Sequence, residues 1–386
     1  MPVGRGRSGL MRQSHARRFG CSLLLIASGA LLTVGMTTGC EGTPSRNKQG
    51  TVPVDPEAES FKALGYRLDW RGRGFVDRNH KPLYMVPMGD VLAYQDSASS
   101  LTIINADTGQ IRWTTQSASA LTKFMAPIRD GRVVRCSSET ELYTLSLETG
   151  SLVGRESYEK VITTSPAVAG DLYIYGTAVG ELIAHVKGMG LKLWGFQTTG
   201  AIEQPPVMVG SVVASVSQSG DVVFIDVSGG SIVGRTRLFA GATTAPVTDG
   251  SLLFVASSDQ SLYAINPDGG SIAWRIRTVA PLTVQPSVVG GVVYAELPER
   301  GLCAINASTG EVQWEKPDTR GTVICSRGNS VIAWNGRVAT LIDAGTGDTV
   351  QSVTLPDVAI LSTEGDKDPV LYVTDAKGRI GKYLPR

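Results

Sequence analysis

The chain is poor in the residues that carry most enzyme chemistry. Among 386 residues there are three histidines, His15, His80 and His185, and five cysteines. No His-Glu-x-x-His, Cys-x-x-Cys or Gly-x-Ser-x-Gly pattern occurs, so zinc peptidase, dithiol redox and serine hydrolase chemistry lack their signatures. Gly345-Thr346-Gly347 looks like a phosphate loop in isolation, but no helical pattern follows it. Acids such as Asp107, Asp268 and Asp343 are dispersed among turn residues instead of being grouped as metal ligands. Aromatics make up only 6% of the chain and do not interleave with the basic residues, which argues against nucleic acid as a partner. No catalytic, cofactor-binding or metal-ligating residue is nominated, no cofactor is expected, and the chain is read as not an enzyme.

Long apolar runs are confined to one place. Residues 1–40 hold Arg5, Arg7, Arg12, Arg17 and Arg18, no acid, and an apolar stretch from Cys21 to Met36. A basic start followed by a mid-length apolar core marks a secretory signal. It ends at Thr38-Gly39-Cys40, which matches the end of a lipobox and nominates Cys40 for lipidation. Thr37 stands where that motif usually carries an aliphatic residue, so simple cleavage and an uncleaved anchor over 21–39 remain as alternatives. Glu41 in place of Asp favours, by analogy, sorting to the periplasmic face of the outer membrane. Residues 41–64, with Pro44, Gly50, Pro53 and Pro56, read as a flexible tether. Without the five leader arginines the remainder carries 31 basic and 35 acidic residues, a further argument against a polyanionic partner.

What the chain has in abundance is glycine, 45 residues in all, and it is periodic. Gly109, Gly150, Gly190, Gly230, Gly270, Gly310 and Gly347 recur at about forty residues, and Pro87, Pro127, Pro166, Pro206, Pro246 and Pro286 keep the same beat. Trp113, Trp194, Trp274 and Trp314 each follow their glycine by four positions. A period of this length means one supersecondary unit copied around a ring or along a stack.

Residues 245–276 show the unit most clearly. Short apolar runs at Leu252–Ala256, Leu262–Ile265 and Ile272–Ile276 alternate with Asp249-Gly250, Ser257–Gln260 and Pro267–Gly270, the signature of an antiparallel meander of four strands. A proline at the first strand suits an edge, since it cannot donate to a ladder. Tryptophan on the fourth strand suits a wedge between neighbouring units. Its loss at Gly154, Gly234 and Gln351 is read as looser packing there.

The last unit has three strands, near 359–362, 370–374 and 379–384, and no fourth. Tyr66-Arg67-Leu68-Asp69-Trp70 reads as an isolated fourth strand. Joined, they close an all-β, eight-bladed β-propeller over residues 65–386, with its N- and C-terminal segments paired.

Repeats such as Cys303-Ala304-Ile305-Asn306-Ala307-Ser308-Thr309-Gly310-Glu311-Val312-Gln313-Trp314 resemble the pyrroloquinoline-quinone-like repeat. Eight of them behind a lipoprotein-like leader look most like the outer-membrane assembly family of BamB. The resemblance implies a non-catalytic, lipid-anchored envelope scaffold. Its partner would be another envelope protein or an unfolded outer-membrane protein client. The stretch matched to that family's Leu- and Arg-bearing contact loop, Thr198-Thr199-Gly200-Ala201-Ile202-Glu203-Gln204, contains neither residue. Ser97–Ser100 and Glu296–Arg300 are candidate surface loops. A cofactor- or small-molecule-binding propeller, its pocket in the central channel, is the alternative function. Cys136, Cys303 and Cys325 read as buried small hydrophobes, with a Cys303–Cys325 disulfide as the less favoured reading.

Overall fold

The computed structural model describes residues 56–74, 80–116, 118–119 and 122–386. Cys40, the leader and residues 41–55 lie outside them. The strands form eight four-stranded antiparallel sheets, seven of them built from four consecutive strands. These are blades 1 to 7, at 82–116, 128–157, 167–197, 207–237, 247–277, 287–316 and 322–354. Blade 8 takes three strands from 358–385 and its fourth from Tyr66–Arg73, paired antiparallel with Arg379–Pro385.

First strands of adjacent blades touch one another, so these short edges line the axis and the fourth strands form the rim. Pro127, Pro166, Pro206, Pro246 and Pro286 each stand immediately before a first strand, where no ladder donor is missed. Pro87 departs from this register and ends the first strand of blade 1, Pro82–Pro87. Second and third strands are buried almost throughout, as in Leu253–Ser257 and Ser261–Ile265.

Blade contacts are built from the tryptophan, the reversal glycine and a bulge. In every blade the ladder between third and fourth strands slips by one residue just before the tryptophan position, at Arg112, Val153, Leu193, Val233, Ala273, Gln313, Val350 and Asp69. A bulge twists the strand locally and re-aims the next side chain. Here it turns the ring onto the following blade, so that Trp70, Trp113, Trp194, Trp274 and Trp314 lie over Gly109, Gly150, Gly230, Gly310 and Gly347. Each indole Nε1 donates to the carbonyl three residues before that glycine: Ala106, Leu147, Val227, Ala307 and Ala344, at 2.8–2.9 Å. The bulged Val153, Leu193, Val233 and Val350 point outward, which accounts for their exposure and breaks the rim's pairing edge.

The three positions without tryptophan are not loose. Between blades 2 and 3, where Gly154 stands, the guanidinium of Arg135 lies 4.8 Å from the centroid of the Tyr173 ring. Asp130 accepts the Tyr173 hydroxyl at 2.6 Å and pairs with Lys187. Between blades 4 and 5 the backbone itself closes in, with Gly269 N donating to Val233 O and Gly234 bridging Gly269. A Cβ on Gly234 would overlap Pro267 O. Gly234→Trp, which restores the repeat's pattern, is therefore expected to destabilise the ring by about 3 kcal/mol through overpacking, read as a lower midpoint in urea unfolding. Gln351 is exposed for a different reason. Blade 8 has no reversal for a tryptophan to cover, since its third and fourth strands come from opposite ends of the described chain.

That gap is filled by residues expected to be tether. Pro56–Ala63 is a helix, packed on the fourth strand of blade 7, and Phe61 and Leu64 are 0% and 1% exposed. Phe61 lies 4.1 Å, centroid to centroid, from Tyr383. The polar composition of 41–64 concealed two apolar residues three apart, which suffice to dock one short amphipathic helix. Cys136, Cys303 and Cys325 are free and buried, with Cys303 and Cys325 in separate core clusters. Burial pushes the thiol pKa of each up, to about 12 for Cys136 and about 11 for the other two.

Candidate interaction faces and central cavity

The meander places two kinds of turn on opposite faces of the ring. Turns between first and second strands and the reversals between third and fourth lie on one face; turns between second and third strands and the connectors between blades lie on the other. The reversals are stiffened by Asx turns: Asn306 Oδ1 accepts from the amides of Ser308 and Thr309, and Asn105, Asp226, Asn266 and Asp343 act alike.

The stretch 198–204 is the connector from blade 3 to blade 4, and it is pinned. Ile202 is fully buried, Thr198 Oγ1 donates to Gly180 O, and Thr199 N donates to Asp221 Oδ2 at 2.8 Å. Ser97–Ser100 is a turn on the same face, but Ala98, Ser99 and Ser100 are buried. Asp96 Oδ1 accepts from the amides of Ala98 and Ser100, and Ser99 Oγ donates to Thr122 O, folding the turn under the next connector. Polar composition suggested solvent; local hydrogen bonds satisfied those groups inside. In Glu296–Arg300, Leu297 is buried, Arg300 pairs with Glu315, and Glu296 accepts the amide of Gly321, so this loop too is tied to its neighbours. His185 sits half-buried with Nδ1 2.7 Å from the Tyr175 hydroxyl, and burial holds its pKa below the ordinary value against the opposing pull of Glu159.

Asp221 organises this face at blade 4. Its side chain is 1% exposed, yet it is ringed by donors: Thr199 N, Arg235 and Arg237. Burial alone would raise its pKa; the Thr199 and Arg235 hydrogen bonds outweigh that and hold it below the usual carboxylate range. A carboxylate whose pKa is lower folded than unfolded stabilises the fold above its ordinary value of about 4, and that contribution fades as pH falls through the folded pKa. Asp221→Asn is expected to cost about 1–3 kcal/mol at pH 7, and less at acid pH, seen as a flatter acid limb in stability against pH.

The axial cavity has a volume of about 450 Å³ and is walled by the first strands of blades 5 to 8. Its polar groups are Thr248, Gln285, Ser287, Thr322, Ser362 and Thr363, all neutral. This wall, from four of the eight blades, offers no cationic side chain to a quinone cofactor bearing carboxylates. Among the described residues no three His, Cys, Asp or Glu side chains group as metal ligands, and no helix is long and apolar enough to cross a membrane.

The model of the outer membrane protein assembly factor BamB family matches residues 97–245 and 230–357, most of blades 1 to 7. The chain belongs to the BamB family. Among solved structures, BamB from Moraxella catarrhalis superposes with a TM-score of 0.65 at 18% identity, covering 83% of this chain and 97% of that one. The computationally designed Ika8 protein superposes equally well, TM-score 0.65 at 12% identity, over 80% of this chain and 97% of that one. A designed ring matching as well as a natural BamB shows that this likeness reports the fold. No curated protein sequence matches the chain.

Proposed function

We propose that this chain is a non-catalytic, lipid-anchored scaffold of the cell envelope that holds another envelope protein or an unfolded outer-membrane client during outer-membrane protein assembly. The family match across residues 97–357 carries the reading. The physics agrees with it: a closed ring with stiff turns offers broad preformed faces, and rigid scaffolds commonly bind through their loops. In this reading Cys40 bears the lipid, and residues 41–55 link it to the helix at Pro56–Ala63. The anchor would leave the ring at the periplasmic face of the outer membrane.

Two measurements test it. Cells lacking the chain are expected to hold several-fold less folded outer-membrane barrel protein, and Cys40→Ala to move the chain from the membrane to the soluble envelope fraction. In-cell crosslinking that recovers no envelope protein, with a soluble small molecule raising the melting temperature, would replace the scaffold with a ligand-binding propeller.

A further inference from the structure

Among the described residues the most exposed large apolar side chain lies on the connector face. Phe239, between blades 4 and 5, is 86% exposed, while its neighbour Leu238 is buried and fixes the connector. Leu238 N donates to Gly220 O at 2.8 Å, and Ala240 O accepts from Ser257 Oγ at 3.0 Å. The phenyl ring therefore projects from a stiff connector, so its exposure is held in place. The equivalent position in the next connector is Val279, 60% exposed.

The fourth strand of blade 5 supplies charge beside this connector. Arg235 and Arg237 end blade 4, and Arg275 and Arg277 end blade 5, at matching positions forty residues apart. Trp274 and Ile276 turn toward blade 6, so alternation turns Arg275 and Arg277 toward the Phe239 connector. Arg275 lies 5.8 Å from the Phe239 ring and 4.9 Å from that of Tyr263. Two guanidinium groups here meet one carboxylate, Asp259, 3.9 Å from Arg275 and bonded to the Tyr263 hydroxyl; Arg235 and Arg237 turn the other way, onto Asp221 beside the connector from blade 3 to blade 4.

Resting on the scaffold reading, we propose that the cleft between blades 4 and 5 docks an extended acidic segment of a partner protein. Phe239 takes an apolar side chain of that segment, and Arg275 and Arg277 take its carboxylates. Charge complementarity selects this occupant. The local surplus of one positive charge, Arg275 and Arg277 against Asp259, suits an acidic segment, and the guanidinium fork matches carboxylate geometry. A phosphate polyanion needs a broad basic field, which a processed chain carrying more acids than bases does not offer.

The test uses the full chain as cells process it, extracted in mild detergent. The probes are a dye-labelled hexapeptide alternating Asp with Trp and Phe, and its counterpart with Asn for each Asp. The Asp peptide is expected to bind about tenfold more tightly than the Asn peptide and to weaken with salt. Arg277→Glu should cost about tenfold and Phe239→Ala about fivefold, with unchanged circular dichroism and melting, while Arg277→Lys should retain most of the affinity. Equal binding of the two peptides, or indifference to Arg277→Glu, overturns the proposal. So does a dimer of the chain that Phe239→Ala dissociates, or binding to anionic vesicles abolished by Arg277→Glu when peptide binding is absent. A photoreactive residue at position 189 that captures assembly proteins in cells, with none captured from position 239, overturns this surface and leaves the scaffold standing.

Discussion

A chain that begins at residue 75 is expected not to form a stable monomeric ring, whereas one that begins at residue 56 keeps the stability of the processed protein. The shorter chain loses the fourth strand of blade 8, the helix at Pro56–Ala63 and four large side chains, Phe61, Leu64, Tyr66 and Trp70. Burial of each such side chain contributes about 2–3 kcal/mol, against a usual total stability of about 5–15 kcal/mol. Polar closure is lost as well. Arg327 Nη2 donates to Gly65 O at 2.9 Å and Arg386 O at 2.6 Å, and Arg386 N donates to Gly65 O at 2.9 Å. Arg379–Pro385 would become an open edge, ready to pair with another chain. Sedimentation and thermal melting check this: aggregation or a melting point lower by more than ten degrees is expected, and a monomer melting with the longer chain would refute the closure. Phe61→Ala in the longer chain should cost about 3–5 kcal/mol, which separates the helix's contribution from the strand's.

Gly310→Ala is expected to be among the most damaging single-methyl changes in the ring, and Gly290→Ala one of the mildest at a turn glycine. Both glycines have positive φ, 75° and 60°, so both substitutions incur the left-handed penalty of about 1 kcal/mol. They differ in what the new Cβ meets. At Gly310 it would lie 2.7 Å from two ring atoms of Trp274, whereas at Gly290 nothing lies within 4 Å. The Trp274 indole is pinned by its bond to Ala307 O and by Phe254, 5.7 Å away, so it has little freedom to retreat. Gly310→Ala should therefore cost about 3 kcal/mol or more, close to the 3–5 kcal/mol expected of Trp274→Ala. Urea unfolding of the three variants decides it. Equal costs at Gly290 and Gly310 would mean that the tryptophan and glycine contact does not hold the blades together.

The eight blades, their strand order and the use of Tyr66–Trp70 to complete the last one are readable in the sequence. Each rests on local chemistry: glycine and Asx residues at reversals, apolar runs of strand length, proline at an inner edge. The tryptophans' role as wedges was readable for the same reason. Their partners were visible in the sequence too, since each ring covers the repeat glycine of the next blade, though only the structure joined the two. The bulge before each tryptophan left no signal in composition. The surface was less legible. Ser97–Ser100 is polar and yet buried, because Asp96 and Thr122 satisfy it internally. In the sequence Phe239 is one aromatic among many apolar residues, and only its place on a connector leaves it in solvent.

By itself the sequence determined how many sheets form and where each strand turns, because those choices depend on residues within a few positions of one another. Tertiary structure alone decided what covers the gap left by Gln351, which polar turns are buried, and where arginines gather beside an exposed phenyl ring. These depend on contacts between residues tens to hundreds apart, such as Phe61 with Tyr383 and Phe239 with Arg275, whose meeting requires the ring to close first.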